Sequence, residues 1–113
     1  MEFAETPEPP YHVAVIAVRR SQDDDGYELA ADEMWDLARR QPGFLGMEWV
    51  ADPAKRTGIT ASYWSDADAI AAWKAQVDHL AIQRLGRERW YDAYLVRIAR
   101  VERDYRWERP RAL

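Results

Sequence analysis

The side chains best suited to chemistry lie between positions 63 and 94: Tyr63, Trp64, Trp73, His79, Gln83, Arg87, Trp90, Tyr91 and Tyr94. They combine flat aromatic surface with hydrogen-bond donors and one imidazole. Such a set could line a pocket for a small aromatic molecule. A catalytic pocket of that kind would need a base, donors that hold an oxyanion, and exclusion of water. His79 is the expected base, because imidazole alone has an unperturbed pKa near neutrality. Arg87 or Arg97 would hold the developing negative charge, while Trp64, Trp73, Tyr63, Tyr94 and Gln83 would line the pocket. His79 and Gln83 are four residues apart and share a helical face, as do Gln83 and Arg87 if the helix persists. Trp73 and His79 are six apart, about 240° around a helix. They meet at one cavity only if the helix kinks or breaks near Gln76 to Asp78. The alternative is that the tryptophans are core and that His79, Gln83 and Arg87 form a polar stripe.

Other chemistries find little support. The chain has no cysteine, hence no thiolate nucleophile and no disulfide framework. His12 and His79 are far apart and belong to no metal-ligand spacing, so no tight metal site is expected. The scattered glycines form no phosphate loop, and neither Ser62 nor Ser65 lies in a nucleophile elbow. Asp23, Asp24 and Asp25 read as a solvated loop that caps a helix. Sixteen basic residues against 20 acidic ones give a net charge of -4, unsuited to a nucleic-acid partner. No apolar run approaches the roughly 20 residues of a membrane span. The acidic, proline-rich start lacks the order of a secretory signal, and a cytoplasmic location is expected.

These residues must be held by a chain of 113 amino acids, enough for one domain. Aliphatic residues are sparse, but six Trp and six Tyr offer large buriable areas, so the core is built from aromatics packed on alanine. Residues 1–10 read as a flexible leader, 11–105 as the domain and 106–113 as a tail. Tyr11 to Arg19 is a Val- and Ile-rich strand. Asp25 and Glu28 resemble a capping box, followed by a helical stripe of Tyr27, Ala31, Met34 and Ala38 that Pro42-Gly43 ends. Phe44 to Ala51 and Ile59 to Trp64 read as a hairpin around the turn Asp52 to Gly58. Ser65 with Asp68 marks a second helix carrying Ile70, Trp73, Val77 and Leu80, with Gly86 as its stop. Trp90 to Arg103 closes the pattern as a strand with Tyr94, Val96 and Ile98 against Leu95, Arg97 and Ala99. The order β-α-β-β-α-β predicts a ferredoxin-like α+β fold. Large side chains on both strand parities leave one sheet face uncovered, which predicts a symmetric dimer.

The segment YWSDADAIAAWKAQVDHLAIQRLGRERWYDAY at 63–94, with PGFLG at 42–46 and RIARVERDY at 97–105, resembles the antibiotic biosynthesis monooxygenase domains. It is similar to the subgroup related to heme-degrading monooxygenases. The resemblance implies a dimeric α/β barrel with a pocket between helices and sheet in each subunit. Heme-degrading members pair an Asn and a Trp with a histidine about ten residues after the Trp. Trp73 matches the Trp, but Gln83 stands ten residues later and the chain contains no Asn. The anthrone-oxidising members also use an Asn with a Trp. What the resemblance implies is oxidation of an aromatic or enolisable small molecule without metal or flavin, through a substrate carbanion that reduces oxygen directly. The alternative is a non-catalytic dimer that holds heme or a flat aromatic metabolite.

Overall fold

A computed structural model describes residues 1–78 and 86–111. The elements are β1 (Tyr11–Arg20), α1 (Tyr27–Arg39), β2 (Phe44–Asp52), β3 (Thr57–Trp64), α2 (Ala67–Asp78), a π-helical turn (Gly86–Trp90) and β4 (Tyr91–Val101). All neighbouring strands are antiparallel, in the order β2-β3-β1-β4. This is the expected ferredoxin-like β-α-β-β-α-β arrangement. His79 and Gln83 lie outside the described residues.

Strand parity divides the sheet into two unlike faces. Ala14, Ser62 and Ile98 are register partners on the face that meets the helices. Val15, Ala61 and Arg97 are partners one step along and point the other way. The core forms under the helices, where Ala14, Ala38, Trp64, Ile70, Trp73 and Val77 are buried together. Alanine at 14 and 38 leaves the room that two indoles require.

Helix starts and stops differ in detail from the expected ones. α1 has no side-chain cap: Gly26 takes the N-cap place in the left-handed region, at φ 84°. The Asp25 carbonyl is instead held by the Trp90 indole N–H at 2.8 Å. α2 is capped by Asp66 rather than Ser65, with Asp66 Oδ1 accepting from the Ala69 N–H at 2.8 Å. Gly43 (φ +87°) passes so close to α2 that a Cβ would lie 2.6 Å from Ser65 Oγ and 2.7 Å from Ala69 Cβ. Glycine there sets the spacing between the α1–β2 connection and α2.

Trp90, expected as the first residue of the last strand, belongs to the π-helical turn. Its carbonyl accepts from the Ser21 N–H at 2.8 Å. Arg89 pairs with Asp23 at 3.0 Å, and Asp24 lies 2.6 Å from Arg56 and 3.4 Å from Arg20. The loop before α1 is therefore stitched to the turn before β4.

Residues 1–10 form no regular element, yet the Ala4 N–H donates to Glu48 Oε2 at 2.9 Å and the Thr6 hydroxyl to Tyr11 Oη at 3.2 Å. After Val101 the described chain is again irregular, and Tyr105 and Trp107 are exposed.

Candidate functional site

A cavity of about 390 Å³ lies between the helices and the sheet. Its floor is the helix-facing parity of two strands: Ala14, Ile16 and Val18 of β1, with Val96 and Ile98 of β4. Met34 and Trp35 of α1 form one wall, and Ile70, Trp73 and Val77 of α2 the other. Its polar rim is supplied by Lys74, Arg87, Tyr91 and Tyr94. The i, i+3, i+7 spacing of Ile70, Trp73 and Val77 puts all three on one side of α2.

Three indoles stiffen one side of this cavity. Trp73 stacks between Trp35 and Trp64, with centroid separations of 5.4 and 5.2 Å and interplanar angles of 28° and 29°. Trp64 is fully buried, edge-on to Phe44 at 5.2 Å, and its Nε1 donates to Ser62 Oγ at 2.9 Å. Trp73 Nε1 is also buried but has no hydrogen-bond partner among the described residues. A buried donor left unpaired costs roughly 1–3 kcal/mol, which an acceptor brought by a ligand would relieve.

The other end is a cluster of phenols. Tyr91 packs edge-on against Tyr27 at 5.7 Å and against Tyr94 at 5.5 Å. Burial, and then the neighbouring Tyr27 hydroxyl, push the Tyr91 pKa well above the usual 10.0. Tyr91 therefore stays protonated near neutral pH and acts as a donor, not as a base. Among the described lining residues every polar side-chain group is a cation, a phenol or an indole; imidazole, carboxylate and amide side chains are absent.

The structure thus brings Trp73, Arg87 and Tyr94 to one cavity. Trp64 lies one layer behind, as the support on which Trp73 stacks. Tyr63 and Arg97 are corrections to the expected site, because their parity turns them to the open face. Tyr63 Oη there donates to Glu48 Oε1 at 2.6 Å, and burial followed by this carboxylate raises its pKa. The alternation of β4 carried the information about Arg97, since Tyr94, Val96 and Ile98 are all of the opposite parity. Trp35 and Lys74 are lining residues that the sequence did not single out, and Tyr91 is a candidate to which it assigned no role. Met34 on the helical stripe, with Trp35 beside it, was the available signal for the α1 wall.

The described lining offers no histidine or thiolate as axial ligand for a heme, and His79 lies outside the described residues. Among the described residues, no group of three or more His, Cys, Asp or Glu side chains is placed to hold a metal ion.

Comparisons with known proteins agree with the fold. The model of the family described as antibiotic biosynthesis monooxygenase matches residues 10–85. The uncharacterized protein YqjZ of Bacillus subtilis (strain 168) is 45% identical over 105 residues, covering 92% of this chain and 91% of that protein. Among solved structures, a point mutant of SnoaB, a cofactor-independent oxygenase from Streptomyces nogalater, superposes with a TM-score of 0.70 at 16% identity, covering 83% of this chain and 95% of that one. A dimeric ferredoxin-like protein of unknown function from Thermobifida fusca YX gives 0.65 at 13% identity, covering 88% and 100%. With its topology, its helix-covered cavity and a sequence match across two-thirds of its length, the chain belongs to the antibiotic biosynthesis monooxygenase family.

Proposed function

We propose that this protein is a cofactor-independent oxygenase that oxidises an aromatic, enolisable small molecule in the helix-covered cavity. The observation that carries the reading is the pairing of a largely apolar slot with a rim that, among the described residues, is made of donors and cations. Such a rim stabilises an enolate or phenolate and so lowers the pKa of a bound substrate. The resulting carbanion gives electrons to O2, oxygen adds at that carbon, and loss of water completes the change. One CH2 and one O2 become one C=O and one H2O. Arg87 attracts and orients the anionic substrate, and Trp73 Nε1 donates to the developing oxyanion. His79 takes the first proton in this proposal. The apolar floor keeps water from the carbanion.

The assembly is proposed as a homodimer through the open sheet face. Val50, Ile59 and Leu95 are 52%, 51% and 48% exposed there. An apolar face of this kind is covered by a partner in a stable protein.

The test is aerobic incubation of chelator-treated protein with anthrone, followed by mass spectrometry. Gain of one oxygen with loss of two hydrogens, abolished in His79→Ala and reduced in Arg87→Gln, is expected. No rate above the uncatalysed one would overturn the enzymatic reading and leave a binding module.

A further inference from the structure

Arg87 is surrounded by ion pairs yet forms none among the described residues. Two residues along, Arg89 is held by Asp23 through two hydrogen bonds of 3.0 and 3.1 Å. The next carboxylate, Asp24, is shared by Arg20 and Arg56. The acidic loop facing the π-helical turn thus engages other arginines, and Arg87 stands at the rim of the apolar cavity instead. Lys74 adds a second cation to that rim, and no Asp or Glu is among the described lining residues.

We infer that the cavity selects a planar aromatic molecule bearing a carboxylate, with its ring in the indole-walled slot and its carboxylate on the Arg87 guanidinium. The inference rests on the cavity being the substrate site and names the class of molecule it takes. A guanidinium presents two parallel N–H donors that match the two oxygens of a carboxylate. At the edge of an apolar cavity that pair is screened less than at an open surface. Lys74, a point charge on a flexible stem, attracts the anion without fixing its orientation. The ring gains from Trp73 and Trp35, whose stacked indoles form a rigid wall.

The experiment is calorimetric titration of the full-length protein at low salt with two probes that share one ring system, naphthoate and the neutral naphthalenemethanol. Naphthoate binds roughly tenfold more tightly or better, as expected for a charge-assisted pair. Arg87→Gln removes that preference, weakening naphthoate by a far larger factor than the alcohol. Lys74→Gln weakens naphthoate by a smaller factor, and added salt narrows the gap. Circular dichroism of both variants checks that the fold is retained. Equal affinity for the two probes, or a preference that survives the double variant, overturns the inference while leaving the aromatic site intact. Binding of neither probe overturns the cavity as the aromatic site as well.

Discussion

The two faces of the sheet are built from the same strands, often from adjacent residues, and do different work. Trp64 turns to the helices and is buried beneath Trp73; Tyr63, one residue earlier, turns away and bonds Glu48. On the covered face a buried indole N–H has no partner and a guanidinium no counter-ion among the described residues. On the open face several polar groups meet one another, although Arg97 forms no ion pair among the described residues either. Tyr63 bonds Glu48, Tyr11 donates to Asp104, and Glu48 also accepts from Ala4. Unmet polar capacity beside a cavity points to a ligand, whereas satisfied groups among exposed apolar side chains point to an interface. The proposed function accordingly assigns chemistry to the covered face and assembly to the open face.

The largest expected effect is on the covered face. Trp64→Ala removes a fully buried indole and the base of the stack, costing about 3–5 kcal/mol. Urea titration should show a large fall in midpoint. The matched control, Trp49→Ala, removes an indole that is 64% exposed and should change stability by less than about 0.5 kcal/mol. Equal losses at both positions would dissolve the distinction between core and surface.

On the open face, the double change Ile59→Lys with Leu95→Lys should leave the fold intact and abolish dimers. Light scattering should give the 13.2 kDa chain mass for the variant and twice that for the parent. A parent that stays monomeric at micromolar concentration would remove the assembly role.

A smaller effect than that of Trp64→Ala is expected of Tyr63→Phe, which loses one bond to a carboxylate and should cost about 1–2 kcal/mol. Its pH dependence has a definite sign. The Tyr63 pKa is raised in the folded protein, so its contribution is complete below the unfolded value of 10.0 and is lost as pH rises through the higher folded value. Between those two values the fall in stability with pH should be shallower in Tyr63→Phe than in the parent. Parallel curves would show that the bond to Glu48 contributes nothing.

Order and type of elements were legible because each has a strong local signal: Val and Ile runs for β1, an aspartate turn between β2 and β3, and a helical stripe through Ile70, Trp73 and Val77. Facing was harder to read. Tyr63 and Trp64 are both large aromatics, so composition does not say which one turns inward. The bulge between Phe44 and Gly46 further shifts parity within β2. The start of α1 and the first residue of β4 depend on each other through the contact of Trp90 with Asp25, 65 residues apart, which no local motif reports. Within the site, Trp73, Arg87 and Tyr94 were legible from residue type and spacing. Lys74 was hidden because one step from Trp73 on a helix ordinarily means a different side, and only its length and the cavity's position bring it to the rim.

Turnover in two isolated variants, Trp73→Phe and Tyr63→Phe, tests the division of labour most directly. Trp73→Phe keeps an aromatic ring in the stack and deletes the unpaired N–H on the covered face. Anthrone oxidation by this variant should fall roughly 100-fold in kcat, the scale of a lost oxyanion donor. Tyr63→Phe, on the open face, should turn over at the parent rate. Unchanged turnover in Trp73→Phe together with a large loss in Tyr63→Phe would contradict the account, because the chemistry would then belong to the other face of the sheet.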